Sequence, residues 1–196
     1  MNKKLSTISL ALLVSFVTPV NVAVGSTDAI EVAQESDANT EDIRAAAEAL
    51  YQEGLQLYRQ GTAESLRDAI AKYKESLKLW QQVGDKSEQA LLFLAIGSVH
   101  DLLGEKQQAL NYYNQALPLF RAVEDKRGEA GILTGIGLVY DSLGEKQQAL
   151  NYYNQALPLF RSVGERKGEA TTLNNLGTVY DDLGEKQQAL DYYNQA

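Results

Sequence analysis

From about residue 42 to the end of the chain, apolar residues recur at three- and four-residue spacings, and glycines break the run at regular intervals. That spacing puts the apolar side chains on one face of an α-helix. In one stretch it predicts a helix over 126–143 with Leu133, Ile136, Val139 and Tyr140 on the buried face. Gly144 supplies the left-handed turn that ends this helix, and Glu145 opens a second one with an acid at its positive end. The second helix carries Ala149, Leu150, Tyr153, Ala156, Leu157 and Phe160 before Gly164 closes it.

The same plan returns every 40 residues. LGEKQQALNYYNQALPLFR occurs unchanged at 103–121 and 143–161, and begins again at Leu183 with Asp191 as its one difference. A fixed period of this length predicts helix hairpins that cannot bury their apolar faces alone and therefore stack. The expected fold is all-α, a right-handed superhelical solenoid of antiparallel helix pairs. Its units run over about 42–84, 85–124, 125–164 and 165–196. The last is incomplete, so the pattern predicts a piece of a longer protein.

The first unit is degenerate. Ala49, Leu50, Gly54, Leu57 and Gly61 match the first helix of later units, and Ala69, Tyr73, Ser76, Leu77 and Trp80 match the second. Three extra residues fall in the turn around Thr62, Ala63 and Glu64, and Trp80 takes the core place of Phe120 and Phe160. Asp85 to Glu88 read as a capping box. Pro118 and Pro158 lie deep in second helices, where each removes a backbone hydrogen bond at about 3 kcal/mol, so kinks are expected there.

Upstream of the array, Lys3 and Lys4 precede an apolar stretch from Leu5 to Val17, and Ala23, Val24 and Gly25 follow. This three-part pattern predicts a secretory signal over 1–25, cut after Gly25, and hence a periplasmic or secreted protein with no membrane attachment after cleavage. An uncleaved anchor is the alternative, but the run is short for a span and interrupted by Thr18, Pro19 and Asn21. Residues 26–41 are polar and acidic without a period, and predict a disordered linker.

Composition narrows the chemistry. The net charge of −8 argues against nucleic acid, which needs clustered Lys and Arg. With no Cys and one His, thiol chemistry is excluded and a Ser-His-Asp triad has nowhere to form except around His100. His100 stands where other units have Tyr140 and Tyr180, so it reads as a half-buried structural residue. Asp101, Asp141 and Asp181 recur one unit apart, about 10 Å in a stacked array, which is no geometry for a catalytic pair. No catalytic residue, metal or cofactor is expected.

Leu173-x-x-Leu176-Gly177-x-x-Tyr180 followed by Ala189-x-x-x-Tyr193 resembles the tetratricopeptide repeat pattern. Leu133, Ile136, Gly137, Tyr140, Ala149 and Tyr153 repeat it, as do Phe93, Ile96, Gly97, His100, Ala109 and Tyr113. The 40-residue unit, with no closing Pro, is similar to the longer-helix subtype of kinesin light chains and of spindle-orientation adaptors built from Leu-Gly-Asn repeats. Near-identical units behind a signal also resemble cyanobacterial arrays that precede a caspase-like CHAT domain. The resemblance implies that Gly97, Gly137 and Gly177 let paired helices approach, and that first helices line a concave groove.

The units differ mainly on those first helices. Candidate peptide-binding residues there are Leu94, Ser98 and Asp101, then Thr134, Leu138 and Asp141, then Asn174, Asn175, Thr178 and Asp181. An amide such as Asn174 or Asn175 can pair with both N–H and C=O of an extended backbone. The groove lacks the Lys and Arg that chaperone-binding relatives use to hold a terminal carboxylate. The reading is a non-enzymatic scaffold that binds an extended peptide segment of an unidentified protein partner. Its alternatives are the regulatory arm of a larger peptidase and a spacer or self-associating array.

Overall fold

A computed structural model describes residues 27–196, with side chains from Asn39 onward. The predicted signal segment lies outside the described residues. The chain divides into two units, Met1–Asp37 and Ala38–Ala196, and the helical array is the second.

The described residues form helices and turns with no strand. The helices are α1 (Thr27–Gln60), α2 (Ala63–Val83), α3 (Lys86–Leu102), α4 (Lys106–Ala122), α5 (Lys126–Ser142), α6 (Lys146–Val163), α7 (Arg166–Asp182) and α8 (Lys186–Tyr193). None is long and apolar enough to cross a membrane. Helices α2 to α8 each pack on the next, α1 meets α2 where the Ser76 hydroxyl donates to the Ala47 carbonyl, and the first helices α3, α5 and α7 also touch in sequence. The result is an all-α solenoid of hairpins, as the 40-residue period predicts.

Helix α1 begins at Thr27, so 27–41 is helical where the polar composition predicted a linker. Ala, Glu and Gln in this segment favour helix locally, and periodicity is blind to a helix that lacks a sustained apolar stripe. The turns follow expectation: Gly84, Gly104, Gly144, Gly164 and Gly184 all have φ between 68° and 79°. Glu124, with φ 56°, occupies the corresponding left-handed position between α4 and α5.

Asp85 caps α3 by accepting from the backbone N–H of Ser87 and Glu88, at 3.0 and 3.2 Å. Glu88 does not return the bond, so the cap is one-sided. A reciprocal capping box forms instead at Thr62 and Ser65, in the widened first turn. Helices α4 and α6 run through Pro118 and Pro158 unbroken. Both prolines and the residues four before them, Asn114 and Asn154, are exposed, so water can take the carbonyl left unpaired.

The core is built from small residues against rings. A Cβ on Gly97 would stand 2.6 Å from the Tyr113 ring, and one on Gly137 2.5 Å from that of Tyr153. Tyr113 also reaches the next unit, where a Cβ on Gly135 would meet it at 3.4 Å. Trp80 is buried like Phe120 and Phe160.

Candidate functional site

Because α3, α5 and α7 touch in sequence, and Tyr51, Leu55 and Tyr58 of α1 line a common cavity with Leu91 and Leu94 of α3, the helices α1, α3, α5 and α7 form the inner face of the array. All ten candidate residues lie on these helices. Their chemistry changes along the groove: Leu91, Leu94, Ala95 and Ser98 on α3 give way to Gly131, Thr134, Gly135 and Leu138 on α5, then to Thr171, Asn174, Asn175 and Thr178 on α7.

Asn174 and Thr178 are exposed, and the Thr178 hydroxyl donates to the Asn174 carbonyl at 3.0 Å. Asn175 is half-buried, with its Nδ2 buried and without a hydrogen-bond partner. Thr134 is buried, donates to the Ala130 carbonyl at 3.0 Å and lies 3.4 Å from the Thr172 hydroxyl. Ser98 is half-buried and donates to the Leu94 carbonyl at 2.9 Å, while Leu138 is exposed.

The three recurring aspartates are each paired with a lysine. Lys106, Lys146 and Lys186 hold Asp101, Asp141 and Asp181 at 2.7, 2.7 and 2.5 Å. Lys146 also reaches Asp182 of the next unit at 2.6 Å. These bonds raise the Lys146 pKa, that to Asp141 most. The spacing of five residues between each Asp and its Lys spans a helix turn, which helix periodicity does not connect.

His100 is buried and stacks on Tyr112, ring centroids 5.2 Å apart, just as Tyr140 stacks on Tyr152 and Tyr180 on Tyr192. Its Nδ1 lies 2.5 Å from Glu105 and its Nε2 is buried without a partner. It is a core ring in a repeated stack. No group of three or more His, Asp or Glu among the described residues is arranged to hold a metal.

Two cavities open between first helices. One of about 310 Å³ lies between α5 and α7, with Arg127, Gly131, Thr134, Lys167 and Thr171 among its walls. Arg127 pairs with Glu165 across it at 3.1 Å. These cations escaped the sequence reading because they sit at helix starts, one turn from the expected groove positions. The other cavity, about 210 Å³, lies between α1 and α3 and is lined by Tyr51, Leu55, Tyr58, Tyr73, Leu91, Leu94, Ala95 and Ser98. Burial, then Tyr51 and Tyr58, pushes the Tyr73 hydroxyl up to about 12, so it stays protonated at neutral pH.

The tetratricopeptide repeat family pattern matches residues 62–122 and 128–196, well over half of the chain. The chain is a tetratricopeptide repeat protein. No curated protein matches it in sequence. Among solved structures, this tetratricopeptide array is similar to the apo form of RapI, with TM-score 0.73 and 18% identity over 86% of this chain and 60% of that one. It is also similar to aspartyl phosphate phosphatase F from Bacillus subtilis, with TM-score 0.72 and 13% identity over 78% and 39%. A third likeness is to the Rap conjugation gene regulator of plasmid pLS20 in complex with the Phr* peptide, with TM-score 0.63 and 17% identity over 74% and 40%. The chain spans three fifths or less of these proteins, and at such identities the likeness is one of fold.

Proposed function

We propose that the array is a non-enzymatic scaffold that binds an extended protein segment along the inner face of its first helices. The observation that carries this reading is the contrast between helices. The second helices α4 and α6 are identical from Lys106 to Arg121 and Lys146 to Arg161, whereas the first helices vary where they are open. Neighbouring first helices lie about 10 Å apart, so an extended segment at roughly 3.3 Å per residue advances about three residues per unit. The solved Rap regulator with its Phr* peptide supports peptide binding by a similarly folded array. Replacing Asn174 and Asn175 together with Ala should reduce capture of the partner from periplasmic extract. Undiminished capture would remove these amides from the site.

The chain is proposed to act outside the cytoplasm, on the strength of residues 1–25. Mass spectrometry of the exported protein should give an amino terminus at Ser26, and a retained Met1 in the cytoplasmic fraction contradicts export.

A further inference from the structure

The cavity between α1 and α3 differs from the rest of the groove. Its walls are leucine, alanine, tyrosine and one serine, Ser98, with no charged side chain, and Tyr58 and Leu91 stand exposed at 37% and 43%. About 150 Å³ of apolar cavity is enough to take benzene, so 210 Å³ admits a leucine or phenylalanine side chain.

Two carboxylates lie about one helical turn before wall residues on its two helices. Glu48 precedes Tyr51 by three residues on α1, and Glu88 precedes Leu91 by three on α3, so each shares a helix face with a wall residue. Among the described residues neither pairs with a basic side chain, unlike Asp101, Asp141 and Asp181. Glu48 accepts only from Gln52, at 2.7 Å. Burial first, then the charges of Asp85 and Glu48, raises the pKa of Glu88. The position of Glu88 is glycine in the next two units, Gly128 and Gly168, so this charge is particular to the α1–α3 junction.

Resting on the groove reading above, we infer that this junction is the anchor point of the bound segment and takes a bulky apolar side chain next to a lysine or arginine. The apolar side chain fills the cavity between Tyr51, Leu55, Leu91 and Leu94. The adjacent cation supplies the counter-charge that Glu48 and Glu88 lack. The tyrosine hydroxyls on the walls are left for the backbone of the segment. Farther along, the polar first helices α5 and α7 hold main chain rather than a second apolar anchor.

The test uses the full chain, methyl- and nitrogen-labelled, titrated by NMR with two blocked tetrapeptides, acetyl-Gly-Leu-Arg-Gly-amide and acetyl-Gly-Leu-Glu-Gly-amide. The expected result is movement of the Leu91, Leu94 and Ala95 signals, with the arginine peptide about fivefold tighter. In the Glu48→Gln, Glu88→Gln variant that preference should vanish while the leucine-dependent shifts persist. Equal affinities in the unaltered protein overturn the charge assignment. Shifts confined to Thr134, Thr171 and Asn174 leave the groove in place but overturn this anchor. No shift at Leu91, Leu94 or Ala95 with either peptide also overturns the anchor, while the Asn174 and Asn175 substitutions test the groove separately.

Discussion

Lys146 Nζ stands 2.6 Å from Asp182 Oδ2, across the boundary between the third and fourth units. The same amino group holds Asp141 at 2.7 Å, so one lysine laces a hairpin turn to its neighbour. Lys146→Ala should destabilise the array by about 1 kcal/mol, the range of two partly exposed pairs. Urea denaturation in low salt should show the loss, and 1 M salt should shrink it. The raised pKa of Lys146 gives the sign with pH: its contribution is complete at neutral pH and disappears as pH rises above the usual lysine range through the folded value.

Glu124 holds a left-handed backbone, φ 56°, where Gly84 and Gly164 serve the other junctions. A side chain costs about 1–2 kcal/mol there. Glu124→Gly should therefore stabilise the protein by about 1 kcal/mol, read as a higher urea midpoint with an unchanged slope. An unchanged or lower midpoint would mean that the Glu124 side chain has contacts that outweigh the strain.

Two glycines on α5 should respond in opposite directions. A Cβ on Gly137 would collide with the Tyr153 ring at 2.5 Å, whereas one on Gly131 meets nothing within 4 Å. Gly137→Ala should cost about 1–3 kcal/mol through overpacking. Gly131→Ala should add roughly 0.5–1 kcal/mol, because glycine in a helix interior is weaker than alanine by that much. Thermal unfolding of the two single variants decides it.

Much of this fold is legible in the sequence. The glycine at each hairpin and the tyrosine sixteen residues later, Gly97 with Tyr113 and Gly137 with Tyr153, are a size-matched pair that the 40-residue period exposes. Trp80 is readable for the same reason, since it sits in register with Phe120. What the pattern misses lies between units. Periodicity tells which face of a helix is buried, but not which residue the neighbouring unit sets opposite it. The pairing of Lys146 with Asp182 and the convergence of Tyr51, Tyr58 and Leu91 both depend on that second helix. The tyrosines of α1 were hidden further because α1 departs from the repeat.

Glu88 links the stability of the fold to its proposed anchor. Its pKa is raised, so the folded protein binds its proton more tightly than the unfolded chain does. Ionising Glu88 therefore lowers stability as pH rises through its folded value, and the cost persists at neutral pH. Glu88→Gln should be more stable than the parent at pH 7, with the difference closing below the ordinary glutamate range. Urea midpoints measured from pH 4 to pH 8 check the sign, and a variant less stable at pH 7 contradicts it.

The proposed function requires the partner to meet the inner face of the array. A photocrosslinking amino acid placed singly at Leu94, Thr134 or Asn174 on the inner face, and at Asn111 or Asn151 on the outer helices, reads this directly in living cells. Crosslinks to a common partner from the inner positions, with none from Asn111 and Asn151, are the predicted result. Crosslinks from the outer helices alone would contradict it.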